Sequence, residues 1–392
     1  MAGPLDGLRV LDLSRILAGP TCTQLLGDLG ADVIKVENPK SGGDDTRTWG
    51  PPFVETSEGE TTDLSAYFIC ANRNKRSLAL DIASEEGQAV VRRLAKDCDV
   101  LIENFKPGAL ANYGLDYDSL SKLAPRLVYC SISGFGQTGP NSQKPGYDIM
   151  AQAFGGIMSL TGEPEGEPMK VAVGIADVMC GMYAATGILA ALRHRDRQGE
   201  GQHIDLALVD SQVAWLINEG VNYLTSGDLP KRRGNGHPNI APYQVFATED
   251  GHAVVAVGND AQFSRFAGWL KRPEWASDPR FATNPARLEN RETLVPMICE
   301  LMAGIPTDEV ISGLEALKVP VGPVNSLDRV FQSDQVAARG MVVEMVDETM
   351  KDGIVKIIGN PLRFSKTPVS YRRRPPRFGE HSDEILGEMD EG

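Results

Sequence analysis

The carboxylate at position 177 has the setting that covalent chemistry asks for. Asp177 lies in VAVGIADVMCGMYAATG (171–187), at the start of a run with helical spacing and among apolar and small neighbours. Two roles suit such a residue. As an N-cap it accepts from the first-turn N–H groups of its helix; as a nucleophile it attacks an acyl carbon while backbone donors hold it in place. Spacing alone favours the cap, and the two roles are compatible.

A second constellation is Gly-Phe-Gly-Gln-Thr-Gly at 134–139, a G-x-G-x-x-G directly after the apolar run RLVYCSIS (126–133). In a dinucleotide fold the last glycine opens a helix whose N-terminus faces the pyrophosphate, and an acid about 20 residues on holds the ribose. Here Pro140 follows at once, and Pro145 and Gly146 interrupt any continuing helix. The next acids, Glu163 and Glu165, stand in the loop-like TGEPEGEP, and the other strand-to-helix crossing offers only Gly19. No nicotinamide or flavin site is expected. What remains is a glycine-bearing loop at a strand end, where open α/β sheets bind ligands.

Two further strand-end segments carry polar chemistry. NRNKRS (72–77) gathers Arg73, Lys75 and Arg76, either a solvated turn or a clamp for phosphates, with arginine supplying bidentate pairing. NFKPG (104–108) sets the Phe105 ring beside polar loop groups, where it stacks on a purine or plugs the core. A nucleophile elbow of the form G-x-S-x-G with triad partners is absent, as is a P-loop.

These residues need elements to position them. GLRVLDLS (7–14), ADVIKVEN (31–38), SLALDI (77–82), DVLIENF (99–105) and RLVYCSIS read as strands, with helical patterns at RILAGPTCTQLLGDLG (15–30) and SEEGQAVVRRLAKDC (84–98). Alternation of strand and helix predicts right-handed βαβ units and a doubly wound parallel sheet. A long helix follows over 176–195, its small residues spaced to let other backbones approach closely; then come a strand and helix in 202–224, and YQVFATEDGHAVVAVG (243–258) as a hairpin. The organisation expected is a Rossmann-like large domain over 1–224, a smaller α+β domain over 225–335, and a return to the large domain over 336–392.

Composition narrows the partners. A length of 392 residues exceeds what one core usually supports, and 42% apolar with 23% charged residues is ordinary globular usage. The net charge of −14 disfavours nucleic acid or an anionic membrane as a partner. No basic leader precedes an apolar stretch, and no uninterrupted apolar run approaches the ~20 residues that cross a bilayer, so a cytoplasmic protein is expected. Six dispersed cysteines and five dispersed histidines suggest neither disulfides nor a metal site.

Taken in order, PLDGLRVLDLSRILAGPTCTQLLGDLGADVIKVE, NRNKRSLALD, ENFKPGAL, SISGFGQTGP, the Asp177 segment, GILAALRHRDRQGEGQHIDLAL and GEHSDEIL resemble the class III CoA-transferases, the CaiB/BaiF family, over essentially the whole length. GDDTRTWGPP, APYQVFATEDG and VPVGPVNS are most similar to its succinyl-CoA:glutarate (dicarboxylate) branch. The resemblance implies an interlocked ring-like homodimer and acyl-CoA and carboxylate substrates, with no metal. It puts the catalytic aspartate at Asp177, which forms aspartyl anhydrides and an aspartyl-CoA thioester. Compared with the formyl-CoA:oxalate relative, the CoA-contacting positions that carry over are Lys75, Asn104, Phe105, Lys144 and Tyr147, with Ile16 and Leu17 at the adenine-contacting turn. Asn38 and Asn112 stand where that relative has arginines, so Arg73 or Arg76 is expected to compensate. That relative's glycine-rich lid is replaced by GNGHPNIAPY, placing Gly236, His237 and Tyr243 at the acceptor pocket, with Arg47 as the partner of a distal carboxylate. The family's racemases carry a catalytic His in a G-H-D segment that here reads Gly146-Tyr147-Asp148, so transfer is favoured over racemisation. The rival from another class is a silent CoA-binding protein in which Asp177 is only a cap.

Overall fold

A computed structural model describes residues 3–390 of the chain. Two compact units divide it: the first takes the chain up to Met158, Lys170–Asp228 and everything from Gln335, and the second takes Ser159–Met169 and Leu229–Asp334. The segment 159–169, expected in the large domain, thus joins the smaller unit.

In the first unit six strands form one sheet: β1 (Arg9–Asp12), β2 (Asp32–Glu37), β3 (Lys75–Ala79), β4 (Val100–Glu103), β5 (Val128–Ser133) and β6 (His203–Ala207). All pairs are parallel, and the spatial order is β3-β2-β1-β4-β5-β6. The alternation of a strand sends neighbours to opposite faces, which explains why consecutive apolar residues in these strands serve two different cores. Val10, Val33, Val100 and Cys130 build one core with α1 (Ala18–Asp28) and the long helix that carries Asp177; Leu11, Ile34, Leu101 and Tyr129 build the other with α2 (Glu85–Asp97). Two cores, one per face, are what a doubly wound sheet requires. A hairpin of Phe53–Glu55 with Thr61–Ser65, not foreseen from sequence, and an antiparallel pair Val342–Val346 with Ile354–Ile358 belong to the same unit. The closing helix Ser382–Asp390 is tied to β3 by Arg76, whose Nη1 lies 2.6 Å from Glu388.

The second unit has its own sheet, Tyr243–Ala247, His252–Ala256 and Val321–Pro323, all antiparallel, over a core that includes Phe246, Phe263, Phe266 and Trp275. The hairpin turns at Glu249-Asp250-Gly251, as the alternation predicts.

Candidate active site

The strand order reverses between β1 and β4, and open α/β sheets bind ligands outside the carboxyl ends of strands at such a switch point. The cleft found there, about 400 Å³, is walled by the turn after β1 (Arg15, Ile16, Leu17), the loop after β4 (Asn104, Phe105, Lys106) and the loop after β5. Every residue of its wall belongs to the first unit.

The loop after β5 contains the G-x-G-x-x-G. Gly134 and Gly146 pack backbone to backbone: a Cβ on Gly134 would lie 2.4 Å from Gly146 Cα. That contact pinches the loop, and residues 139–144 run as turns and bends, with the next helix, α3 (Asp148–Phe154), starting directly after Tyr147. The glycines therefore let two backbones touch, and so bring Lys144 and Tyr147 to the cleft.

Asp177 is the third residue of α4 (Ile175–Gln198), not its cap. The cap position is Gly174, and the first-turn donors are met from another element. Asp148 Oδ1 accepts from Ala176 N at 2.8 Å and from Asp177 N at 3.4 Å, while Asp148 Oδ2 accepts from Gln152 Nε2 at 2.7 Å. A carboxylate at a helix N-terminus is favourable, and here it is Asp148 that answers the orphan N–H groups. The Asp177 side chain is left without a hydrogen-bond donor among the described residues, although it is only 7% exposed. Burial raises its pKa, and the charge of Asp148 raises it further, to about 7. An ionised carboxylate that is desolvated and unshared, opening on a cleft, is equipped to attack an electrophilic carbon. Tyr67 stands near it: burial, then the Asp177 charge, pushes its hydroxyl up to about 12, and its ring meets Trp49 edge to face at 5.0 Å.

α4 is long and apolar enough to cross a membrane, with a mean hydropathy of 1.7 over its best window, which the apolar runs of the sequence do not lead one to expect of any segment. Its small residues serve packing: a Cβ on Gly181 would come within 2.6 Å of Ala18 O, so α1 and α4 meet at backbone distance.

Of the residues expected at the site, Ile16, Leu17, Asn104, Phe105, Lys144 and Tyr147 line the cleft together with Asp177. Four cations do not. Lys75 is fully buried, its Nζ donating to Asn72 Oδ1 at 2.8 Å, Pro20 O at 3.0 Å and Asp12 Oδ2 at 3.2 Å. Arg73 pairs bidentately with Asp28 at 2.9 and 2.6 Å, and Arg76 with Asp32 at 3.0 and 2.5 Å. Arg47 pairs bidentately with Glu37, both contacts 2.7 Å, reaches Asp63 at 2.6 Å and lies 3.7 Å over the Phe68 ring. These four are corrected from binding residues to internal ion pairs. The cause is that buried cations must be matched by carboxylates from neighbouring elements, and sequence cannot show the match.

Besides the expected Lys144, the cleft shows two cations that were overlooked, Lys106 and Arg15. Lys106, inside the NFKPG motif, and Lys144 are exposed and make no ion pair among the described residues; Arg15, 57% exposed at its side chain, has one partner, Asp45, at 2.7 Å. Asp148 and Trp49 were overlooked as well, although Asp148 adjoins Tyr147 in the sequence. Asn38 caps the short turn Pro39–Ser41, and Asn112 lies exposed in Leu110–Tyr113. Within the second unit His237 stacks on Tyr243 at 5.0 Å and donates its N–H to Tyr243 O at 2.9 Å, with Gly236 next to it.

The sequence pattern of the family described as CoA-transferase family III matches residues 5–382. The chain is 49% identical over 388 residues to a succinate–glutarate CoA-transferase of Agrobacterium fabrum, covering 99% of this chain and 96% of that protein. It is 44% identical to a succinyl-CoA:glutarate CoA-transferase of Mus musculus, covering 99% and 88%. Among solved structures, a CAIB/BAIF family protein from Brucella suis superposes with a TM-score of 0.90 at 49% identity, covering all of both chains. With an unshared buried aspartate at the switch point of a sheet shared with that structure, the chain belongs to CoA-transferase family III.

Proposed function

We propose that this enzyme moves CoA from succinyl-CoA to a free dicarboxylate such as glutarate, with Asp177 as the nucleophile. The observation that carries the reading is the Asp177 carboxylate, buried, without a donor of its own, and opening on the cleft. The names of the most similar relatives support the substrate pair.

The chemistry follows from a carboxylate meeting a thioester. One Asp177 oxygen bonds to the thioester carbonyl carbon and the C–S bond breaks, giving a mixed anhydride and CoA thiolate. The thiolate attacks the aspartyl carbonyl, releasing succinate and leaving an aspartyl-CoA thioester. The acceptor carboxylate then attacks that thioester, and the thiolate returning to the acceptor's carbonyl of the second anhydride frees both Asp177 and the new acyl-CoA. One thioester is exchanged for another, so the protein has to exclude water and hold the thiolate rather than supply energy.

The phosphates of CoA need cations, and Arg15, Lys106 and Lys144 are the ones the cleft presents. Ile16, Leu17, Phe105 and Tyr147 provide its apolar walls. We further propose a homodimer. α4 exposes Met182 and Tyr183 on the side away from the sheet, and Trp215, Ile217, Val221 and Leu224 are exposed nearby in sequence, an apolar load that monomers rarely leave uncovered. We also propose a cytoplasmic location.

The test is incubation with succinyl-CoA and a panel of carboxylic acids, followed by hydroxylamine trapping and mass spectrometry. Glutarate is expected to accept CoA fastest, with a hydroxamate on Asp177. Full transfer by Asp177→Ala would sink the mechanism.

A further inference from the structure

The turn that opens the cleft is strained. Ile16 has φ of 71°, in the left-handed region that a β-branched residue rarely enters. Such a conformation persists only where the surroundings over-determine it, and it then points to function. Here three consecutive residues have their backbone gripped by side chains from separate elements. Ser14 O accepts from Lys35 Nζ at 2.9 Å; Arg15 N–H and C=O both engage the Asn104 amide, at 3.0 and 2.7 Å; Ile16 N donates to the two Asp44 carboxylate oxygens at 3.3 and 3.2 Å. Asp44 is itself anchored, accepting from Lys35 Nζ at 2.8 Å and from Thr46 N and Oγ1 at 3.0 and 2.8 Å. Lys35 and Asp44 are both buried.

The consequence of the turn reaches the nucleophile. Leu17, next in the chain, packs on Gly174, the cap of the helix that carries Asp177: a Cβ there would lie 2.9 Å from Leu17 Cδ2. A relaxed Ile16 would swing Leu17 and reshape the wall between the turn and Asp177.

We infer that Asp44, braced by Lys35, is a positioning residue for the active-site cleft: its carboxylate holds Ile16 N–H and keeps the turn left-handed, and through Leu17 sets where the acyl-CoA lies against Asp177. The kinetic consequence rests on the transfer reading above; the conformational one does not.

Glycine adopts the left-handed region without strain, which makes Ile16→Gly the means of separating this role from general support of the fold. The experiment is a double-mutant cycle of Asp44→Ala and Ile16→Gly, reading kcat and KM for succinyl-CoA, the Kd for CoA by calorimetry, and thermal midpoints. With Ile16 in place, Asp44→Ala is expected to lower kcat/KM on the order of 10- to 100-fold, as small misplacements of substrate do. In the Ile16→Gly background the same change is expected to cost only about 3-fold, a coupling of the size seen between residues in contact, with CoA affinity following the same pattern. Equal losses in both backgrounds would overturn the inference, as would losses that follow the thermal midpoint alone. Should Asp44→Ala not fold, Asp44→Leu combined with Lys35→Met, which removes the carboxylate from Ile16 N without stranding the buried Lys35 cation, enters the same cycle. Coupling in CoA affinity without transfer activity would overturn the transfer reading and leave this inference standing; transfer without coupling would do the reverse.

Discussion

Asp177→Asn is expected to abolish transfer and to stabilise the protein in the same stroke. The carboxyl moves from an ordinary 3.8 to about 7 on folding, because burial removes water and Asp148 adds a like charge. That difference amounts to roughly 4 kcal/mol against the buried anion, and with the side chain 7% exposed little of it is screened. The folded pKa is raised, so the stability of the protonated form is fully present below the unfolded value and is lost as pH rises through the folded one. The wild-type protein is therefore penalised progressively between about pH 4 and pH 7, and fully above that. Asparagine has the same shape and does not titrate. Thermal midpoints of the two proteins should nearly coincide at about pH 4 and separate towards about pH 8, the variant being the more stable, while kcat falls on the order of 10³-fold or more, as it does when a nucleophile is removed. A gap that does not change with pH, or a wild type more stable at the alkaline end, would show that the carboxylate finds a donor in solution and that the argument from burial is wrong.

Three other outcomes follow from the same geometry. Asp148→Asn keeps an acceptor for Ala176 N but removes the charge that helps raise Asp177, so the acid limb of the kcat/KM profile should move below about 7; an unmoved limb would assign the whole effect to burial. Arg15→Ala and Lys106→Ala should each raise KM for succinyl-CoA about 10-fold, the scale of one lost charge-assisted contact, and leave succinyl-pantetheine, which lacks the phosphates, nearly unaffected. Arg47→Ala should instead lower stability by about 3–5 kcal/mol, since it strands Glu37 inside the protein; a stable variant that has lost only its use of glutarate would restore Arg47 to the acceptor site.

Much of the architecture was legible without coordinates. Strand-like runs such as RVLD, followed by a turn and a helical pattern, and the longer VYCSIS specify parallel strands buried on both faces, and the parallel sheet follows. The candidate nucleophile was legible too, as were the loops at strand ends, because these depend on residue type and on neighbours in the chain. The closing of the glycine loop at 134–146 could be suspected from its glycines and prolines, though not the contact between Gly134 and Gly146 that pinches it.

Long-range pairing decided the rest. Arg73 meets Asp28 across 45 residues and Arg76 meets Glu388 across 312, so a cluster that reads as a phosphate clamp became part of the core, and the cations of the cleft proved to be Arg15, Lys106 and Lys144. The cap of α4 likewise comes from Asp148, 28 residues upstream of Ala176, which is why Asp177 is free of the role that local spacing had offered it. Sequence alone indicated most of the elements and offered Asp177 as one carboxylate with two possible roles, since propensity and periodicity act over a few residues. Which charges are neutralised, which carboxylate is left unshared, and how far burial raises its pKa depend on partners brought together by the sheet, and only the tertiary structure supplies those.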